Sequence, residues 1–357
     1  MSPRTLASLA LFVFAASSLL ACGGGGGGGG GAPPPPPLPS YTIVVLHPDG
    51  TGLNNSAAKA IDPAGGGQQG GERFNSISDI EATIWTGTAA SFVGIGLGSI
   101  RDIGGGVQVG HTGVEGTGSE RAVHWAGTAG SQVQLHPASG YSASAATGGN
   151  GTVQAGYARD ATSAQRHAVF WTGTAASMVD LHPVGFTSSR CYDVDGTTQG
   201  GTGRRTSDSS DRALLWTGTA ASFVDLGPGL VWAISGGVQV GQGPVGGGST
   251  HAFLWTGTEA SRVDLNPAGF DQSRAFGVAN GRQVGYGNTA GGSSHALVWS
   301  GTAASAIDLH PTTQSLLIDG VAPNSSFAQA IDATGRIVGS ISNSSGTQRA
   351  VMWVPVP

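Results

Sequence analysis

The nine histidines of this chain are the side chains best suited by type to bind a metal or move a proton, and they do not fall at random. Four stand in Leu-His-Pro (His47, His136, His182, His310) and three stand directly before Ala (His167, His251, His295). Copies of one phrase on equivalent strands of a ring lie on the order of 15 Å apart, against about 2 Å for a Zn–N bond, so they cannot share one ion. A hydrogen-bonding residue repeated at each turn or rim fits better, and neither a metal nor another cofactor is expected.

The remaining chemical motifs are weak. Asp193-Val194-Asp195-Gly196 hints at a calcium loop but lacks the further oxygen ligands and the distant Glu such a loop needs. Asp62, Ser235, Ala279 and Asp332 occupy the place of Asp195 in other units, which suits a hairpin turn. The Gly-x-Gly runs open no helix that could aim amides at a phosphate. No Ser-His-Asp order and no isolated carboxylate pair stands out, so no catalytic residue is assigned. Cys191 sits where other units carry Ala, Ile or Val, and reads as a small buried hydrophobe.

One set of positions departs from this uniformity. Aligned on the last apolar residue of the innermost strand (Ile61, Ile103, Val194, Ile234, Val278, Ile331), the units carry Lys59, Arg101, Tyr192, Trp232, Phe276 and Gln329 two residues earlier. The residues between, Ala60, Asp102, Asp193, Ala233, Gly277 and Ala330, are mostly small. The third unit, near Ala146, does not align clearly. Packing of a symmetric core favours similar side chains at equivalent positions, and these differ in charge and shape. They are the candidate ligand-binding residues, expected to border one end of a central channel.

The elements that must position them follow from a repeat. Ala-x-x-Trp occurs seven times, ending at Trp85, Trp125, Trp171, Trp216, Trp255, Trp299 and Trp353. Its mean spacing falls in the range of about 40–45 residues typical of a four-stranded propeller blade. Ser273 to Pro311 shows the inner order: an apolar stretch, a turn, Gln-Val-Gly, a variable polar loop, His-Ala-Leu-Val-Trp, a Gly turn and Ile-Asp-Leu-His-Pro. That is four strands per unit, with Pro ending the outermost because it cannot donate to a ladder. The units around Phe92 to Gly110 and Phe223 to Gly241 lack the crossover residues. Variation concentrates between the second and third strands, where loops carry recognition.

The body opens in mid-unit, with Tyr41 to Pro48 reading as an outer strand, and stops at Ala350 to Trp353, the strand that should precede it. One unit is therefore split between the ends, and pairing them closes a ring without free edges. The predicted fold is all-β: a seven-bladed β-propeller of four-stranded blades closed by its N- and C-terminal strands.

Composition agrees. With 63 Gly and only 10% charged residues, short strands and tight turns are favoured. The net charge of −5 without a basic run excludes a nucleic-acid footprint. Residues 1–21 read as a secretion signal with a short apolar region ending in Leu19-Leu20-Ala21-Cys22, which resembles the lipobox of bacterial lipoproteins. On that reading Cys22 is the lipid-attachment residue. Residues 22–40, with nine Gly and a run of Pro, form a spacer before the seven-repeat body at 41–357.

The phrases His251-Ala252-Phe253-Leu254-Trp255, His167 to Trp171 and His295 to Trp299, with Val-Asp-Leu and Gln-Val-Gly, resemble the HAF family of extracellular repeats over nearly the whole body. The resemblance implies an exported, propeller-like domain and adds no mechanism. The expected protein is a monomer tethered to the membrane of the bacterial envelope through its N-terminal lipid, binding a glycan or protein ligand as a recognition or scaffold module. The alternatives are an exported carbohydrate-active lyase or hydrolase with its site at the channel, and a purely structural surface protein.

Overall fold

The computed structural model describes residues 39–48, 54–64, 66–75, 80–114, 116–311 and 316–356. Cys22 and the Gly/Pro spacer lie outside them. Seven four-stranded antiparallel sheets form the ring. From the inside outwards, blade 1 is Asn55–Ile61, Gln69–Phe74, Ile80–Trp85 and Val93–Leu97. Blade 2 is Ser99–Gly104, Val107–Thr112, Arg121–Trp125 and Val133–Gln134, and blade 3 is Tyr141–Gly149, Gln154–Asp160, Arg166–Trp171 and Val179–Asp180. Blade 4 is Phe186–Asp195, Thr198–Arg205, Asp211–Trp216 and Val224–Pro228, and blade 5 is Leu230–Ser235, Val238–Pro244, Thr250–Trp255 and Val263–Asp264. Blade 6 is Phe270–Ala279, Arg282–Thr289, Ser294–Trp299 and Ile307–Asp308. Blade 7 takes Pro323–Ile331, Ile337–Asn343 and Gln348–Pro355 from one end of the chain and Tyr41–Val45 from the other. Innermost strands of successive blades touch all the way round, blade 7 meeting blade 1.

The repeat phrases are the parts of this ring. Each repeat Trp is fully or almost fully buried. It packs into the space between its own blade and the one before: Trp125 lies among Ala60, Ile84 and Ile95 of blade 1 and Ile100 and Ile103 of blade 2. The core is thus a series of wedges between sheets, each thin enough near the axis to require Ala or Gly.

Gln of Gln-x-Gly is buried, and its Oε1 accepts the N–H of the Gly that follows the repeat Trp. Gln108 holds Gly127 at 2.7 Å, Gln199 holds Gly218 at 2.9 Å and Gln283 holds Gly301 at 2.7 Å. Within the same turn, the Ser of Ala-Ala-Ser accepts the N–H of the residue after Trp, as Ser222 does from Thr217 at 2.8 Å. In blade 7 no such turn follows Trp353, because the outermost strand is Tyr41–Val45 from the other end of the chain, and Ile337 pairs with Trp353 where the other blades place Gln. A buried amide with no turn to hold would lose its partner, and an apolar residue stands there instead.

The histidines of Leu-His-Pro join neighbouring blades. His182 Nε2 lies 3.1 Å from the Phe186 carbonyl and therefore carries the proton, leaving Nδ1 to accept from Ser189 Oγ at 2.8 Å. Ser189 in turn accepts the Ala168 N–H at 2.9 Å. His136 with Ser144 and His310 with Ser326 repeat the arrangement, and burial lowers all three imidazoles, favouring the neutral ring. In blade 5 Asn266 replaces His, and Ser273 donates to it at 2.7 Å. The second set binds carboxylates: His167, His251 and His295 place Nδ1 2.8, 2.7 and 2.7 Å from Asp180, Asp264 and Asp308. Among the described residues no three His, Cys, Asp or Glu side chains gather around a common point.

Cys191 is fully buried, and burial pushes its thiol up, out of the reactive range.

Candidate functional site

Every innermost strand breaks register at one common level, and those of blades 3, 4, 6 and 7 break a second time near their start. The common breaks fall between Ala58 and Ala60, Ile100 and Asp102, Ala146 and Gly148, Cys191 and Asp193, Val231 and Ala233, Ala275 and Gly277, and Ala328 and Ala330. The residue left over in each is Lys59, Arg101, Thr147, Tyr192, Trp232, Phe276 or Gln329. A bulge leaves one residue outside the ladder and re-aims its side chain. Here seven bulges in a ring aim seven different side chains at the axis, six of them the residues singled out by alignment.

Thr147 was missed because Gly149 takes the place of the apolar residue used as anchor. Counting back seven from the Gln of Gln-x-Gly finds Thr147 from Gln154, as it finds Tyr192 from Gln199 and Trp232 from Gln239.

The same bulges explain the glycine of Gln-x-Gly. In each blade it faces the carbonyl two residues before the bulge, and a Cβ there would stand 2.0 Å from Ala57 O at Gly71, 1.9 Å from Arg190 O at Gly201 and 1.9 Å from Leu230 O at Gly241. Only a residue without Cβ admits the displaced strand.

The ring borders a cavity on each of its two sides. All seven residues line two cavities, one of about 440 Å³ and one of about 210 Å³. The larger also reaches Ala57, Glu72, Arg190, Ser340 and Gln348, on the face where innermost strands begin and the variable loops emerge. The smaller reaches Asp102, Asp193 and Asp195, on the face where those strands turn back.

Within the ring, chemistry is segregated. Blades 4 to 6 present an aromatic arc: Tyr192 and Trp232 lie 4.3 Å apart between ring centroids, and Trp232 and Phe276 meet edge to face at 5.5 Å. Tyr286 and Phe327 continue it at 5.6 and 4.9 Å. The indole N–H of Trp232 donates to Gln242 at 3.3 Å, which fixes its orientation. Blades 1 and 2, across the axis from blade 5, carry the charges. Lys59 Nζ lies 2.7 Å from Glu72 and 3.2 Å from Ser99 Oγ, and Arg101 is 3.3 Å from His111 Nε2. Burial by itself would raise the Glu72 carboxyl, but the Lys59 and Arg101 charges overcome it and hold it at about 2.

On the other side of the ring stand Asp102 and Asp193, enclosed by protein yet keeping some surface on the channel. Asp102 accepts the N–H of Ile103 at 2.8 Å and of Gly149 in blade 3 at 2.8 Å. Asp193 accepts from Val194 at 2.7 Å and from Ile234 in blade 5 at 2.8 Å. Each carboxylate clamps its blade to the next. Asp195, read from sequence as a turn residue, also reaches across, accepting from Gly236 at 2.7 Å.

Burial pushes both channel acids up against the pull of their backbone donors. Asp193 repels Asp102 further, and Asp193 itself reaches about 7. The unfolded chain releases such a proton near pH 4, so between about pH 4 and pH 7 the folded state binds the extra proton and loses stability as pH rises. The double variant Asp102→Asn/Asp193→Asn, less stable throughout because each amide keeps only one acceptor, has no such dependence. The stability gap between wild type and variant should therefore narrow by a few kcal/mol from pH 4.5 to pH 8 in urea unfolding. A gap that does not change with pH would remove the assignment.

No protein-family model and no curated protein sequence matches the chain. Solved structures do. A puromycin hydrolase mutant complexed with PGG aligns at TM-score 0.58 and 11% identity over 84% of this chain and 51% of that one, so the chain spans about half its length. Oligogalacturonate lyase in complex with manganese aligns at TM-score 0.54 and 10% identity, covering 89% of this chain and 97% of its own. The β-propeller domain of the Trilobed protease from Pyrococcus furiosus, which has an open velcro topology, aligns at TM-score 0.54 and 9% identity over 84% and 95%. At these identities the likeness is one of fold, and this chain's own seven-bladed ring is closed by strand pairing.

Proposed function

We propose that this protein is a binding module whose ligand enters the 440 Å³ cavity from the variable-loop face and rests on the ring of bulged residues. The observation that carries this reading is the ring itself. Seven blades keep the bulge and the glycine that admits it, while the side chain so presented differs in every one. Wedge filling alone needs neither the bulge nor the diversity. The volume lies within the roughly 300–1,000 Å³ of small-ligand sites.

A glycan array and an envelope-extract pulldown with residues 39–357 test it. Ligands captured by the wild type should be lost with Trp232→Ala plus Arg101→Ala, and unchanged capture would sink the reading. A lipid tether at Cys22 would hold the body at an envelope membrane, and Cys22→Ser should release the exported chain into the soluble fraction.

A second reading has one observation in its favour. The buried Asp102 and Asp193 pair, shifted toward neutrality beside the channel, has the protonation behaviour of acid–base groups. In this reading the protein is a carbohydrate-active lyase or hydrolase, and the likeness to oligogalacturonate lyase supports only the fold. The commitment of both carboxylates to backbone donors weighs against it. Appearance of cleaved products in the array eluates would favour it.

A further inference from the structure

Resting on the binding-module reading, we infer that the cavity takes the end of an acidic saccharide, its sugar faces on the Tyr192, Trp232 and Phe276 arc and its anionic group toward Lys59 and Arg101. Three features of the site lead there together.

The first is charge. The chain as a whole carries −5, yet the lining of the larger cavity holds three cations, Lys59, Arg101 and Arg190, against the single carboxylate of Glu72. Glu72 stays ionised at any physiological pH, so it offsets one of the three and leaves a local excess of two positive charges. A positive recess in an acidic protein concentrates anions and repels cations, and its low-dielectric walls strengthen the effect.

The second is the aromatic wall opposite. Tyr192, Trp232 and Phe276 meet at 48° and 71°, forming one curved surface and not a pair of parallel plates. Such a surface receives the C–H face of a sugar ring from one side, whereas a flat heterocycle gains most between two parallel rings. The neutral remainder of the lining, Thr147, Gln329, Ser340 and Gln348, supplies hydroxyls and amides that can both donate and accept, as sugar hydroxyls require.

The third is the floor. The seven side chains separate this cavity from the smaller one, whose lining adds Asp102, Asp193 and Asp195. Beyond the ring that cavity adds three acidic side chains and no further cation, so nothing there holds an anionic chain threaded through, and the acidic ligand is held by its end and not along its length.

The test is isothermal titration of residues 39–357 with uronate oligosaccharides of one to six units, their methyl-esterified neutral forms, a sulfated neutral oligosaccharide of equal length and an acidic peptide. Uronate or sulfated oligosaccharides should bind, more weakly as salt is raised, and tighten only over the first two or three units. The esterified forms should bind at least about tenfold more weakly. Arg101→Ala should weaken the acidic ligands at least about tenfold and the neutral forms clearly less, while Trp232→Ala should weaken both alike, with unchanged circular dichroism as the folding control.

Stronger binding of the neutral forms, of the peptide, or of long chains in proportion to their length would overturn the inference and leave the module reading standing if that binding depends on Trp232. No binding in this panel with array hits elsewhere would overturn the acidic class alone. No binding in either would overturn both.

Discussion

A chain shortened by deletion of residues 41–48 should lose the stability of all seven blades together. In the native ring Tyr41–Val45 pairs along its whole length with the last strand, Tyr41 opposite Pro355 and Val45 opposite Val351. Beyond the strand, Leu46 is fully buried in a cluster with Ala58, Ile61, Trp85 and Met352, and His47 pairs with Ser56 of blade 1 at 2.9 Å. Ser56 also accepts the Ala350 N–H at 2.8 Å, so the same few residues tie blade 7 to blade 1. Each ladder bond contributes about 0.5–1.5 kcal/mol and the burial of a Leu about 1.5–3 kcal/mol. Their sum exceeds roughly 5 kcal/mol, as large as the whole stability of many domains. Calorimetry should show the transition of the shortened chain lowered by more than 10 °C or abolished. Hydrogen exchange should show protection lost in blades 3 to 5 as well as at the seam. If only blades 7 and 1 loosen, the ring is not the cooperative unit.

Replacing Gly241 by Ala should also be strongly destabilising, through a single methyl group. Its Cβ would lie 1.9 Å from the carbonyl oxygen of Leu230 and 2.9 Å from its carbon, both backbone atoms, so no side chain can rotate to make room. Either the second strand leaves the ladder or the bulge that presents Trp232 is undone. Overpacking of side chains alone costs about 1–3 kcal/mol, and displacement of two paired strands belongs at or above the top of that range. Urea unfolding should place Gly241→Ala about 3 kcal/mol below wild type, and quenching should show Trp232 more accessible. Gly130→Ala is the control: nothing lies within 4 Å of its Cβ, so its stability should stay within about 0.5 kcal/mol of wild type. Equal stability of the two variants would show that the close approach is not what requires glycine.

The two variants probe features of very different visibility in the chain. The repeat Trp, the Gln-x-Gly phrase and the split unit at Tyr41 and Trp353 could all be read before any coordinates, because each is a local requirement met again in every blade. A buried indole, a turn that needs an acceptor and a strand that needs a partner select the same residue types wherever they recur. The histidines were legible in the same way as hydrogen-bonding groups, though not as the links from blade to blade that His182 and Ser189 make. Two of the properties that define the cavity were not legible. Thr147 escaped because a glycine replaced its apolar neighbour, and the bulge that connects Gly241 to Trp232 exists only between two strands.

What the sequence by itself determined is the number of units, their four-stranded order and the closure of the ring, since hydrophobic period, turn chemistry and repeat spacing are properties of short segments. It also marked six of the seven ring residues by their failure to repeat. Only the tertiary structure decided that these side chains form a floor between two cavities, with aromatic rings facing cations and carboxylates beneath. That arrangement depends on which blades stand opposite one another and how deep in the channel the bulges lie, and such distances arise when seven sheets converge on a common axis.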